Sequence, residues 1–265
     1  MIRHSPWDTP PYDFAIGLKP IDEAAWLEGA EADAARKRAL LASGAEVCGE
    51  EAGSRAGQAE VLALVEQATA QSGDAGLPPL WAASLLCADD LCLMERRDRV
   101  WRLTAASLCS GTFFTAADAL GKSLAELHDP VPGFADRFLS VVERMFNAVQ
   151  PGVIMERRNW TLLNSDELHL PRSGPVRALI PRIAATEAGE ALHLRVERQT
   201  VRKLPDTGAV LFTIRIWRHP LAALRADPVK LAAFAAAWNG VTEEFRAYKG
   251  LAHYDALVTT FLASS

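Results

Sequence analysis

Among the six histidines of this chain, His128 is the one whose surroundings suggest chemistry, because two prolines stiffen the chain just beyond it. In His128-Asp129-Pro130-Val131-Pro132-Gly133 the imidazole ends a short helical stretch around Leu124 to Leu127, and Pro130 and Pro132 forbid the helix from continuing. An apolar helical pattern begins directly afterwards. A lone imidazole of fixed direction beside apolar surface is what a haem iron needs on its proximal side. The same residue also suits a plainer task, that of bonding the last carbonyls of its own helix, and spacing does not choose between the two.

A second set of polar groups lies on a segment of period two. In Leu192-His193-Leu194-Arg195-Val196-Glu197-Arg198-Gln199, alternation puts His193, Arg195, Glu197 and Gln199 on one face and Leu192, Leu194, Val196 and Arg198 on the other. Facing solvent, the polar side is only a charged sheet surface. Lining a cavity, Glu197 could hold an ammonium group and an arginine could hold carboxylates, since guanidinium pairs with them through two parallel bonds. Arg157-Arg158-Asn159-Trp160 carries the same ambiguity: Arg157 and Asn159 share one face, Arg158 and Trp160 the other, and Trp160 suits a core better than a stacking platform. The stripe Val210, Phe212, Ile214, Ile216 reads as the inner face of a sheet, and a haem pocket would use the same residues.

Several chemistries drop out. No GxGxxG follows a strand, and there is no GxxxxGK[ST], HExxH or GxSxG, so autonomous use of NAD, flavin or ATP is not expected. The histidines are scattered, and Cys48, Cys87, Cys92 and Cys109 show neither a CxxC pair nor a zinc or iron–sulfur spacing, so they read as reduced, mostly buried thiols. With 28 basic against 33 acidic side chains and a net charge of −5, nucleic acid is not an expected partner. No apolar run approaches the roughly 18 residues of a membrane span, and the start lacks the apolar core of a signal peptide, so the expected location is the cytoplasm.

The elements that must position these groups follow from periodicity. Helical spacing in Ile21 to Leu41, opened by Pro20 and a possible Asp22 cap, and again in Val61 to Ala70, makes residues 1–75 a helical preface. A hairpin is expected from Leu91-Cys92-Leu93-Met94-Glu95 and Val100 to Ala106. Phe138, Val141, Val142, Met145, Phe146 and Val149 mark one amphipathic helix over Phe134 to Val149, stopped by Pro151-Gly152. Strands are expected at Val153 to Leu163, Ala191 to Lys203 and Ala209 to Trp217, the last two joined through Leu204-Pro205-Asp206-Thr207-Gly208. The C-terminal helix has Asp227 as N-cap, Pro228 in its first turn, an apolar stripe from Leu231 to Phe245, and Gly250 as its stop. The fold class is α+β: a central antiparallel sheet with flanking helices and helical N- and C-terminal extensions, as one 265-residue domain with its sheet core over 90–218 and C-terminal helices over 219–265.

Three segments in this order carry a resemblance: Gly121-Lys122-Ser123-Leu124-Ala125-Glu126-Leu127-His128-Asp129-Pro130-Val131-Pro132-Gly133, then Arg157-Arg158-Asn159-Trp160, then Leu194 to Thr200 continuing through Leu204 to Ile214. Phe14 to Pro20 and Leu91 to Met94 support them, so the likeness spans nearly the whole chain. The sequence resembles the haem-dependent oxidative N-demethylase α-subunit family. That resemblance implies a PAS-like sheet holding one haem b and a catalytic subunit that uses dioxygen to oxidise the N-methyl group of a small amine such as dimethylamine, releasing formaldehyde. It implies electrons from separate flavin and iron–sulfur reductase subunits. It also implies His128 as the iron ligand, with Glu197 steering the amine and Arg157, Asn159, Trp160, Arg198, Gln199 and Phe212 around the cofactor. A haem-binding PAS-like sensor or carrier without turnover, and a subunit that has lost haem, are the competing expectations.

Overall fold

The computed structural model describes residues 2–13, 15–27 and 33–264. Phe14, and the stretch 28–32 within the expected Ile21 to Leu41 helix, lie outside the described residues. Among those described, seven strands form one sheet: β1 (Lys19–Ile21), β2 (Cys48–Glu50), β3 (Asp90–Arg97), β4 (Val100–Ser107), β5 (Ile154–Leu163), β6 (His193–Lys203) and β7 (Val210–Pro220). Their order is β1-β5-β6-β7-β3-β4-β2, and every neighbouring pair is antiparallel. With helices on both faces, the fold is α+β.

The β6–β7 turn forms as its Pro-to-Gly sequence dictates. Gly208 takes φ +68°, a left-handed conformation cheap only for glycine. The backbone N–H groups of Asp206 and Thr207 both bond the Glu60 carboxylate, at 2.7 and 3.0 Å, fastening the hairpin tip to the Arg55–Thr69 helix. In the β3–β4 hairpin, Asp98 and Arg99 both have positive φ, as a two-residue turn matched to strand twist requires.

The two faces of the sheet have different roles. On one, Trp160, Leu162, Leu194 and Val196 pack under Trp7, Phe234, Trp238, Leu257 and Phe261, while Leu91, Leu93, Ile154 and Leu211 pack under Val61, Val65 and Leu80. These layers are the principal core. On the other face Cys92, Met94, Val201, Val210 and Phe212 meet Leu124, Leu127, Phe146 and Val149, so the helical region that follows His128 covers this side.

Four local expectations are corrected. The Ile21 to Leu41 segment is not one helix: Lys19–Ile21 is a strand paired with β5, a single 3-10 turn follows at Glu23–Ala25, and the described helix is Ala34–Ala42. Asp22 precedes that turn but makes no side-chain capping bond. Phe134 to Val149 divides into Phe134–Arg137 and Leu139–Ala148, because Phe138, at φ −123°, leaves helical geometry. The C-terminal helix ends at Gly240; Thr242 caps a new helix, Glu243–Lys249, by accepting the Phe245 N–H, and it is this one that Gly250 stops at φ +66°. Asp227 does cap Pro228–Gly240, accepting the N–H groups of Val229 and Lys230.

Candidate functional site

The short helix bearing His128 is held at both ends. At its start Ser123 and Glu126 form a capping box, each side chain accepting the other's backbone N–H. At its end the His128 N–H donates to the Ala125 carbonyl at 3.1 Å, and the His128 carbonyl accepts the Val131 N–H at 2.8 Å. The imidazole lies flat on Phe134, with ring centroids 4.1 Å apart and planes 7° from parallel.

The ring's Nδ1 sits 2.8 Å from the Leu124 carbonyl. A carbonyl only accepts, so Nδ1 carries the proton and Nε2 keeps its lone pair. Burial lowers the imidazole pKa; the Leu124 bond opposes this and the Arg157 charge adds to it. His128 is therefore a neutral ring with one oriented donor nitrogen. The capping role and the ligand role turn out to be compatible, since the first uses Nδ1 and the second needs Nε2.

Strand register brings the polar groups together beside this ring. Asn159 pairs with Glu197 and Arg157 with Gln199 across β5 and β6, while Ile214 and Ile216 pair with Gln199 and Glu197 from β7. Gln199 donates its amide N–H to Glu197. Phe212, opposite Val201 and Cys92, completes the apolar flank. The structure thus brings His128, Arg157, Asn159, Glu197, Gln199 and Phe212 to the same side of the sheet.

It does not bring Trp160 and Arg198 there. Both point to the opposite face, as alternation along β5 and β6 requires. Trp160 lies 5.9 and 5.7 Å from the rings of Trp7 and Phe234 in the core. Arg198, 1% exposed, is fully engaged by the Glu156 carboxylate and by the carbonyls of Trp26 (2.7 Å) and Ala25 (2.5 Å).

Three further residues join the set. Arg195, on the Glu197 face, is 3% exposed. Tyr248 and Lys249, from the Glu243–Lys249 helix, act electrostatically on the same carboxylate: burial and Glu197 together raise the Tyr248 pKa, while burial lowers that of Lys249 against the pull of Glu197. Alternation already set Arg195 beside Glu197, so its signal was present in the sequence. Tyr248 and Lys249 lie about fifty residues further on and reach the site only because the C-terminal helices fold back.

The electrostatics are lopsided. Arg157, Arg195 and Lys249 are the cations that Glu197 draws on, and it is the one carboxylate common to all three. Burial lowers the pKa of each, that of Arg195 to about 10. Arg157 Nε is buried without a partner, as are Nε and one terminal nitrogen of Arg195. Buried donors left unpaired cost about 1–3 kcal/mol each, so these N–H groups call for an acceptor. Among the described residues no group of three His, Cys, Asp or Glu side chains could hold a metal ion, and no helix is long and apolar enough to cross a membrane.

The fold is thus an α+β protein with an antiparallel sheet, one face of which carries an oriented imidazole and three cations, Arg157, Arg195 and Lys249, around Glu197. The profile of the family described as "Haem-dependent oxidative N-demethylase, alpha subunit-like" matches residues 54–259, and this chain belongs to that family. The site residues fit the group that the family name specifies. His128 Nε2 is a nitrogen with a free lone pair, as an iron ligand needs, and the unpaired Nε–H of Arg157 suits a propionate oxygen.

Proposed function

We propose that this chain is the haem b-carrying oxygenase subunit of a cytoplasmic enzyme that removes a methyl group from a small methylated amine. The observation that carries the reading is His128: a half-buried, neutral imidazole whose Nδ1 is committed to the Leu124 carbonyl while Nε2 keeps its lone pair, next to an arginine with an unpaired buried N–H. In this reading His128 ligates the iron and Arg157 pairs with a propionate.

Bound haem supplies reductive activation of dioxygen, with two electrons and two protons per turnover, one oxygen atom entering the N-methyl C–H bond and the other leaving as water. The carbinolamine so formed separates into formaldehyde and the demethylated amine. Electrons come from separate flavin and iron–sulfur reductase subunits, for which this chain has no binding signature of its own. Glu197 holds the substrate ammonium, and Gln199, donating to Glu197, fixes the direction of that carboxylate. Tyr248 is positioned as a neutral phenol, its proton held by burial and by Glu197. The Phe212 and Ile214 flank excludes water from the methyl group.

The test is turnover by haem-loaded protein with a chemical reductant and air, offered a series of N-methyl amines. Formaldehyde and demethylated amine should appear in equal amounts. Glu197→Gln should weaken amine binding about tenfold or more, the loss of one charge-assisted bond, without removing the Soret band. Haem uptake with no formaldehyde from any amine would make the chain a haem sensor or carrier instead.

A further inference from the structure

Beside Glu197 stands a lysine with no part in the reaction proposed for the site. Lys249 ends the Glu243–Lys249 helix, just before Gly250 turns the chain at φ +66°. It is half-buried, and its Nζ lies over two ring faces, 5.4 Å from the Tyr248 centroid and 5.8 Å from that of Phe245. Among the described residues no carbonyl, hydroxyl or carboxylate accepts a hydrogen bond from this nitrogen, and no acid lies within ion-pair distance of it. Lys37 shows what an enclosed ammonium group requires. It is 0% exposed and donates to the carbonyls of Ser84, Cys87 and Asp89 at 2.9, 3.0 and 2.6 Å, three acceptors for its three donors. Lys249 has none of these.

The charges around it sharpen the contrast. Burial lowers the Lys249 pKa, Glu197 opposes this, and Arg157 and Arg195 add to it. The two arginines and Glu197 belong to β5 and β6, and the neighbouring Tyr248 keeps its phenolic proton because burial and Glu197 raise its pKa. One carboxylate is thus set against two guanidinium groups and the loss of water. An amine so placed gives up its proton more readily than an exposed lysine does, and the free amine carries the lone pair that adds to a carbonyl carbon.

We propose that Lys249 is a carbonyl-reactive amine that takes a small aldehyde as an imine on Nζ, within the Glu197 site. The nitrogen lone pair forms the new N–C bond, the carbonyl C–O bond breaks in two steps through a carbinolamine, and both amine protons leave with the oxygen as water. No electrons are exchanged and no further reactant is needed. Hydrolysis reverses the step, so its occupancy follows the aldehyde concentration. Formaldehyde, released beside this residue, is the aldehyde at hand; that source rests on the functional reading above, whereas the reactivity of the amine does not.

The experiment is reductive methylation of the full chain, haem-free and haem-loaded, with isotopically labelled formaldehyde and cyanoborohydride at pH 7, read residue by residue by peptide mass spectrometry. Cyanoborohydride converts an imine to a stable N-methyl group, so each lysine records how often it formed one. Lys249 should be labelled several-fold faster than the exposed Lys19 and Lys122, and its lead should narrow as pH rises toward about 10.4, where an ordinary lysine loses its proton. Glu197→Gln should widen the lead, because among the charges around Lys249 only Glu197 favours the ammonium form. The wild-type labelling stands on its own if that variant fails to fold. Lys249 labelled no faster than Lys19 and Lys122 overturns the proposal, as does a folded Glu197→Gln protein in which Lys249 is slower than in wild type. A chain labelled first at Lys249 that takes up no haem keeps this proposal and refutes the oxygenase reading.

Discussion

Replacing Asp89 with asparagine should stabilise this protein at neutral pH and do almost nothing at pH 4. Asp89 is fully buried immediately before β3. One carboxylate oxygen receives only a 3.3 Å bond from the Thr213 hydroxyl, and the other has no partner. Burial raises its pKa from 3.8 to about 6, outweighing the pull of Lys37, Arg215 and Arg198. The sign follows from linkage: the folded state holds this proton more tightly than the unfolded state, so no penalty exists below pH 3.8. The penalty grows as pH rises and is complete above about 6. The gap between 3.8 and about 6 corresponds to about 3 kcal/mol. Asparagine keeps an oxygen for Thr213 and carries no charge, so it escapes the penalty. Urea unfolding of both proteins at pH 4, 5, 6, 7 and 8 gives the difference curve. Between pH 4 and pH 8 it should rise by about 2.5 kcal/mol with a midpoint between the two pKa values, on top of any pH-independent offset. A flat curve, or one that falls with pH, would refute the electrostatic reasoning.

Two other substitutions separate scaffold from site. Arg198→Met leaves the buried Glu156 carboxylate with Arg158 alone and strands two carbonyls, and should cost about 2–4 kcal/mol by urea unfolding while leaving haem affinity unchanged in the folded protein. Haem loss at full stability would return Arg198 to the site. Gly133→Ala forces an L side chain to φ +63° at the turn after His128, where its Cβ would also displace the Arg137 side chain; about 1–2 kcal/mol should be lost, with a measurable drop in haem affinity beyond it.

The strands that carry the site were legible because alternation continues for many residues. Along β5, β6 and β7 it separated Glu197 from Arg198 and Asn159 from Trp160, and the structure keeps those pairs on opposite faces. The three-residue edge strands Lys19–Ile21 and Cys48–Glu50 were not legible, since three residues cannot establish a period and their formation depends on an exposed neighbour strand. The breaks at Phe138 and at Val241-Thr242 escaped for a related reason: the apolar spacing runs straight through them, while the chain turns to follow the surface beneath. Within the site, strand residues were readable and those from the C-terminal helix were not. Tyr248 and Lys249 are placed by the packing of Phe245 and Leu251 into the core, which no local pattern encodes. Arg195 had the right face from the start; its unpaired donors became visible only once the bonds to Ser110 and Leu168 were known.

The proposed function depends on His128 presenting Nε2 to haem iron. Its most direct measurement is a haem titration of wild type, His128→Ala and His128→Ala with added imidazole, followed by the Soret band and by resonance Raman of the ferrous iron–nitrogen stretch. Wild type should take up a stoichiometric histidine-ligated haem, the variant should lose it, and added imidazole should restore it by filling the gap. A variant that binds haem with the wild-type spectrum and iron–nitrogen stretch would contradict it.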